Sequence, residues 1–334
     1  MGRPKKLLND PTEVVTELID GLVLASDGGL VRLGDRTVVM RPEIPKGKVG
    51  LIIGGGSGHE PLFSGFVGEN LADAAVCGNV FAAPSPDLIL DAVAAVDNGA
   101  GVLFVYGNYS GDNMNFDIAA ELAQEEGHTT RTVRVWDDVA AAPLERITDR
   151  RGIAGDFFVI KIAGAAASKL ASLDEVYRVA CKARDNTRSM GVALAAGSIP
   201  ETGEPTFKLP DDEIEIGMGA HGEPGIQRQK LETADAITDQ MMGLILRDLP
   251  FAAGDEVALL LNNLGSTTLM EMLIVNRRVR KLLADAGIAV HRTDMGNFLT
   301  CQEMAGISIS LLRLDDELKL FLDAPARSVG YSRA

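Results

Sequence analysis

The chain has 334 residues, 46% of them hydrophobic, a net charge of −15 and an isoelectric point near 4.7. That length can bury a substantial core and ordinarily divides into two domains. The acidic balance disfavours non-specific binding to nucleic acid or to anionic membranes, which needs a cationic surface, and no stretch approaches the ~18 unbroken apolar residues of a membrane span.

In chain order, the amino terminus Met1-Gly2-Arg3-Pro4-Lys5-Lys6 is basic, but no long apolar segment follows it. It is therefore no signal peptide, and Lys6 stands where a myristoylation motif needs Ser or Thr. The first ~150 residues then alternate apolar runs with amphipathic stretches, the pattern of βαβ units. Strands are predicted at Val49–Ile53, Ala72–Val76, Val102–Tyr106, Thr132–Val135 and Phe157–Ile162, and helices near Asp87–Val96 and Phe116–Glu125. Ser172-Leu173-Asp174-Glu175 is a capping box that opens a helix running to about Ser189. Beyond it, Val192–Ala196, Glu213–Ile216, Glu256–Leu261, Ala289–Thr293 and Ile307–Leu312 read as strands, and Thr233–Arg247 and Thr268–Ala286 as helices. The fold expected is α/β, with two domains at 1–188 and 189–334, each a central sheet flanked by helices. Three widely spaced cysteines, Cys77, Cys181 and Cys301, suggest reduced thiols in a cytoplasm, not a disulfide frame or a metal site.

Four polar loops follow predicted strands. Gly54-Gly55-Gly56-Ser57-Gly58-His59-Glu60-Pro61 follows Val49–Ile53, and Gly107-Asn108-Tyr109-Ser110-Gly111-Asp112 follows Val102–Tyr106. Gly217-Met218-Gly219-Ala220-His221-Gly222-Glu223-Pro224-Gly225 follows Glu213–Ile216, and Asn262-Asn263-Leu264-Gly265-Ser266-Thr267-Thr268 follows Glu256–Leu261. Loops at the carboxyl ends of strands suit a small polar ligand. The first is not a dinucleotide fingerprint, because His59 replaces its last glycine, and not a phosphate loop, because no Gly-Lys-Ser/Thr follows. A nicotinamide-dependent oxidoreductase therefore rests on little more than the α/β alternation.

Of the four histidines, His128 in a Gly-His-Thr turn and His291 in a strand read as structural. His59 and His221 are flanked by glycines, which deny them the packing that explains most core histidines, so a functional role is expected. Asp112 reads equally as an N-cap and as a functional carboxylate. Ser266-Thr267 reads as a helix cap before an anion site, and nothing in the spacing of Glu60 or Glu223 assigns them a role.

Taken together, these loops resemble the dihydroxyacetone-binding subunit of dihydroxyacetone kinases. The matching residues are Gly54–Pro61, Asn108-Tyr109-Ser110-Gly111-Asp112 with Asn115-Phe116, Gly219–Ile226, Asn262-Asn263-Leu264-Gly265 and the region Ser308–Asp323, in a resemblance that runs from Leu7 to Pro325. The resemblance implies that His221 forms a covalent hemiaminal with the carbonyl carbon of a short ketose. A neutral imidazole is a competent nucleophile and a ketone an electrophile, so this capture separates ketoses from polyols such as glycerol. It further implies that His59 serves as acid or base on the hemiaminal oxygen and that Asp112 accepts the proton of the hydroxyl to be phosphorylated. Gly56, Ser57 and Gly58 would hold the ketose through backbone contacts. An aspartate near a helix amino terminus is a weak base, but phosphoryl transfer through a loose transition state asks more for alignment than for early proton removal. Asp112 is thus expected to orient the hydroxyl and take its proton late.

Family members without a fused nucleotide domain need a separate subunit that carries ATP, or ADP recharged by a phosphotransferase-system protein, with Mg. The resemblance implies that partner, no cofactor or metal in this chain, and a homodimer; the cytoplasmic location expected rests on the cysteine usage and the amino terminus above. Gly107 stands where many dihydroxyacetone-specific members have lysine, which hints at room for a four-carbon ketose such as erythrulose. The alternative is a non-enzymatic paralogue that binds the ketose and signals to a transcription regulator; such relatives tend to lose catalytic residues, whereas His59, Asp112 and His221 are all present.

Overall fold

The computed structural model describes residues 5–170 and 172–334. Met1–Pro4, the first part of the basic amino terminus, lie outside them. The chain forms two compact units that no single cut separates. The first comprises Lys5–Val135, Phe157–Ala183 and Glu317–Ala334; the second comprises Trp136–Asp156 and Arg184–Asp316. The expected break at 188/189 falls inside the strand Thr187–Ala195.

The first unit is built on a six-stranded sheet in the order Val31–Arg32, Val38–Met40, Ala74–Val80, Gly50–Ser57, Val102–Gly107, Thr130–Val135. The last four strands are parallel. Their central members are buried along nearly their whole length, as parallel strands covered on both faces must be. The helices Pro86–Val96 and Ser110–Glu125 lay Ile89, Val93, Val96, Phe116, Ala119 and Ala123 against Ile52, Val76, Val102, Phe104 and Tyr106. Phe116 stacks on Tyr106 with ring centroids 4.2 Å apart, a pair worth roughly 0.5–1.5 kcal/mol beyond its burial.

A second six-stranded sheet organises the second unit, in the order Gln227–Lys230, Glu213–Ile216, Thr187–Ala195, Ala305–Leu314, Glu256–Asn263, Ala289–Gly296. It is antiparallel except for its last pair. That parallel pair is joined by the helix Leu269–Asp285, which opens with a Thr268/Glu271 capping box. Val257, Leu259 and Leu261 alternate with their neighbours and share a core with Ile307, Ile309, Leu311 and the helix residues Ile237, Met241, Val275 and Val279. At the beginning of this unit the Arg184 guanidinium lies over the Trp136 ring, 3.7 Å from its centroid.

Three expectations need correction. Phe157–Ile162 is not a strand but part of the helix Asp156–Ala167. Its residues are buried all round, and a wholly apolar helix gives no period by which to tell it from a buried strand. The helix expected from Phe116 begins six residues earlier, at Ser110. The helix opened by Ser172 ends at Asp185, and Thr187–Ser189 already belong to the next strand.

Candidate functional site

In the first unit the glycine run is mostly strand. Gly54, Gly55 and Gly56 continue Gly50–Ser57 because neighbouring backbone and rings leave no room for side chains. A Cβ on Gly56 would stand 2.7 Å from the Ala82 nitrogen and 2.9 Å from the Phe81 Cα; one on Gly54 would stand 2.7 Å from the Val76 oxygen. The Ser57 hydroxyl donates to the Gly78 oxygen at 2.7 Å. The turn itself begins at Gly58, whose φ of +99° suits glycine. His59 is only 4% exposed, and its ring lies 4.9 Å from that of Phe81, which takes a φ of +57°. Behind it the Glu60 carboxylate accepts the Gly58 N–H at 3.0 and 3.2 Å. Burial pushes the Glu60 carboxyl above its ordinary range, against the lowering pull of backbone N–H groups.

The strand Val102–Gly107 ends at buried Gly107, and the helix that follows has Tyr109 at its N-cap position with no side-chain cap bond. Asp112 is therefore not the N-cap; it sits inside the first helical turn, at the positive end of the helix dipole. Burial raises the nearby Tyr106 phenol to about 12, opposed by Arg134 and reinforced by the charges of Asp117 and Asp112. The helix start is tied down by Asn113 Nδ2 donating to Asn108 Oδ1 and Asn115 Nδ2 donating to the Pro84 oxygen, both at 2.8 Å. Residues 79–84 thus lie beside both the glycine strand and the Asp112 helix, and Phe81 is a site neighbour that no sequence motif marked.

In the second unit His221 lies on the loop of a hairpin whose strands, Glu213–Ile216 and Gln227–Lys230, pair antiparallel. Gly217 and Gly222 take φ of +79° and +84°, and Gly219 N–H donates to the Glu223 oxygen at 3.0 Å, closing the turn. The His221 side chain is 28% exposed. Its Nδ1 lies 3.2 Å from Glu223 Oε1, and its backbone N–H donates to Glu223 Oε2 at 2.9 Å. Arg151 Nη1 stands 3.9 Å from the same Oε2, while Arg151 donates to Asp138 Oδ2 at 2.7 and 3.1 Å and to the Gly217 oxygen at 3.2 Å. Burial raises the Asp138 carboxyl to about 6, with Arg151 pulling against it. Neither Arg151 nor Asp138 was visible in the sequence, since 70 residues or more separate each from His221.

A small pocket beside this loop is lined by Met218, Gly219, Ala220, Leu264, Leu299 and Ser308. The two asparagines of the fourth loop are engaged by backbone groups, Asn262 by those of residues 298–299 and Asn263 by those of its own loop. Asn262 bonds the Leu299 oxygen and the Phe298 and Leu299 N–H groups, and Asn263 bonds Gly265 N–H, Thr267 N–H and the Thr267 oxygen. His128 pairs with Asp97 at 2.7 Å and His291 with Glu256 at 3.3 Å. His59 and Asp112 thus belong to the first unit and His221 to the second. Among the described residues no cluster of three or more His, Cys, Asp or Glu is placed to hold a metal ion, and no helix is long and apolar enough to cross a membrane.

Residues 20–330 match the family described as the Dak1 domain. The chain belongs to this family. It is 47% identical over 324 residues to the dihydroxyacetone-binding subunit DhaK of PTS-dependent dihydroxyacetone kinase 2 from Listeria innocua serovar 6a, covering 96% of this chain and 97% of that one. It is 40% identical over 331 residues to the L-erythrulose 1-kinase of Mycolicibacterium smegmatis, covering 98% of this chain but 58% of that enzyme. A solved structure described as the dihydroxyacetone kinase operon co-activator Dha-DhaQ matches this Dak1 chain with a TM-score of 0.88 at 32% identity, covering 95% of this chain and 97% of that one.

Proposed function

We propose that this Dak1 chain is the ketose-binding half of a dihydroxyacetone-type kinase, a phosphotransferase whose phosphoryl group comes from a separate nucleotide-binding subunit. The observation that carries the reading is His221, part-exposed on a glycine-framed hairpin loop, in a chain 47% identical to a subunit named for binding dihydroxyacetone. His221 captures the ketose carbonyl carbon as a hemiaminal, His59 manages the proton on the resulting oxygen, and Asp112 orients the acceptor hydroxyl and takes its proton late. Gly56, Ser57 and Gly58 contribute backbone contacts to the ketose. The relative's PTS-dependent name supports a partner that carries ATP, or ADP with Mg recharged by a phosphotransferase-system donor. The reading also includes a homodimer and a cytoplasmic location.

Gly107, buried at the end of its strand and bearing no side chain, together with the erythrulose kinase relative, supports acceptance of a four-carbon ketose as well as dihydroxyacetone. The co-activator relative favours a second reading, a ketose sensor acting on transcription. Retention of His59, Asp112 and His221 supports the enzyme over it. Crystals soaked in parallel with dihydroxyacetone and erythrulose test the capture step. Continuous density from His221 to the carbonyl carbon is expected; a ligand ordered without that link would remove the covalent mechanism and leave the sensor. Turnover of dihydroxyacetone against both erythrulose enantiomers, with the nucleotide subunit added, then ranks the substrates.

A further inference from the structure

Glutamate and histidine two residues apart in a hairpin loop ordinarily attract no attention, and the spacing alone assigned Glu223 nothing. The geometry does. One carboxylate oxygen is 3.2 Å from His221 Nδ1, and the other takes the His221 backbone N–H, so ring and backbone are fixed by a single group. An ionised carboxylate can only accept hydrogen bonds, so the nitrogen facing it must carry the proton. In a neutral ring the lone pair then resides on Nε2.

We propose that Glu223 is the positioning residue for His221: it locks the tautomer in which Nε2 is the nucleophile, and Arg151, anchored by Asp138, keeps that carboxylate in place. The proposal rests on the capture reading above. Burial by itself would raise the Glu223 carboxyl, but the hydrogen bond and charge of His221, with backbone N–H groups, hold it down at about 2. The ionised, hydrogen-bond-accepting form of this carboxyl is thereby favoured. Gly219 is part of the same arrangement. A Cβ there would collide with Glu223 Oε2 and Arg151 Nη1, so the missing side chain is what lets carboxylate and guanidinium meet under the loop.

The chemistry balances without any further reagent. The Nε2 lone pair forms the N–C bond while the carbonyl π pair moves onto oxygen, which takes one proton, from His59 in the reading above. No group leaves. The ring, now bonded at Nε2 and protonated at Nδ1, bears a positive charge beside the Glu223 carboxylate, which stabilises the adduct as well as the attacking tautomer. In the opposite tautomer the attacking nitrogen would carry a proton and have no lone pair to offer.

The test uses the full chain, ¹⁵N-labelled, and dihydroxyacetone ¹³C-labelled at the carbonyl. Nitrogen NMR before ketose is added is expected to show His221 protonated at Nδ1 and bare at Nε2, and carbon NMR to show a tetrahedral adduct absent from His221→Ala. Glu223→Gln keeps size and shape but loses the charge that fixes the proton. It is expected to give mixed tautomers and capture weakened about 10- to 100-fold, less than the ~10⁴ of a fully buried triad because this pair is part-exposed. Glu223→Asp is expected to recover part of the Nδ1-protonated signal, and amide spectra show whether each variant is folded. Unchanged tautomer and unchanged capture in folded Glu223→Gln overturn the proposal while leaving capture intact. Absence of any adduct in the unmodified protein overturns the capture reading instead, and the nitrogen spectra still decide the role of Glu223.

Discussion

The two histidine loops are built on the same local device and use it differently. In each, a glutamate carboxylate turns back to accept the backbone N–H two residues earlier: Glu60 that of Gly58, Glu223 that of His221. In Gly58-His59-Glu60 the histidine lies between the two ends of that bond, and its buried ring rests against Phe81. In His221-Gly222-Glu223 the histidine is itself the bonded residue, so the carboxylate also reaches its ring. One inserted glycine, at a φ of +84°, converts a backbone clamp into a ring partner. The charge states diverge accordingly: burial drives Glu60 up, whereas burial at Glu223 is outweighed by His221 and the carboxyl falls to about 2.

The sharpest way to break this comparison is to remove each ring. His221→Ala is expected to abolish the ketose adduct outright, measured by carbon NMR, because no nucleophile remains. His59→Asn is expected to leave the adduct at equilibrium but slow turnover with the nucleotide subunit by about 10²- to 10⁴-fold, the usual worth of a general acid or base. Equal loss of adduct in both variants would mean that the two histidines do not divide the work as described.

Substituting glycines separates packing from positioning. Gly56→Ala meets backbone atoms of Phe81 and Ala82 that cannot step aside, and is expected to cost about 1–3 kcal/mol in urea unfolding. Gly219→Ala meets the ends of the Glu223 and Arg151 side chains; Arg151 is held by Asp138 and the Gly217 oxygen, so the Glu223 carboxylate is the group that yields. Stability is expected to change little, while capture weakens by about 10-fold as the carboxylate leaves the ring.

The smallest expected effect is in the pH dependence of stability, and there the two glutamates have opposite signs. Glu223 is held below its ordinary value of 4.5, so its contribution is present above 4.5 and is lost as pH falls toward about 2. Glu60 is raised, so the folded state favours its protonated form, and that advantage is lost as pH rises from 4.5 through the raised value. Relative to the unmodified chain, Glu223→Gln should therefore lose about 1 kcal/mol between pH 3 and 6, a figure reduced for solvent screening of a part-exposed pair. Glu60→Gln should gain stability over the same interval. Unfolding curves at several pH values check both, and parallel trends would refute the contrast drawn here.

Much of this was legible in the chain because it depends on local rules. Alternating apolar runs located most strands, Ser172 with Glu175 marked a helix start, and the cap read at Ser266-Thr267 lies one residue on, at Thr268. Where reading failed, the deciding partner was distant or the pattern was silent. Gly54–Gly56 looked like a loop because glycine usually signals one, yet Phe81, Phe63 and Val76 crowd that strand and require small residues. Asp112 could not be assigned a position until Tyr109 was seen at the N-cap. Arg151 carries no signal at all, since only the folded second unit brings it beneath residue 219.

The lone tryptophan has a practical consequence. Trp136 lies in the second unit under the Arg184 guanidinium, whereas the four tyrosines, Tyr106, Tyr109, Tyr177 and Tyr331, all fall in the first. Indole emission therefore arises from a single residue of the second unit, next in the chain to the first unit's strand Thr130–Val135, without a label. Comparing its denaturation profile with circular dichroism of the whole chain would reveal whether the two units lose their structure together or in succession.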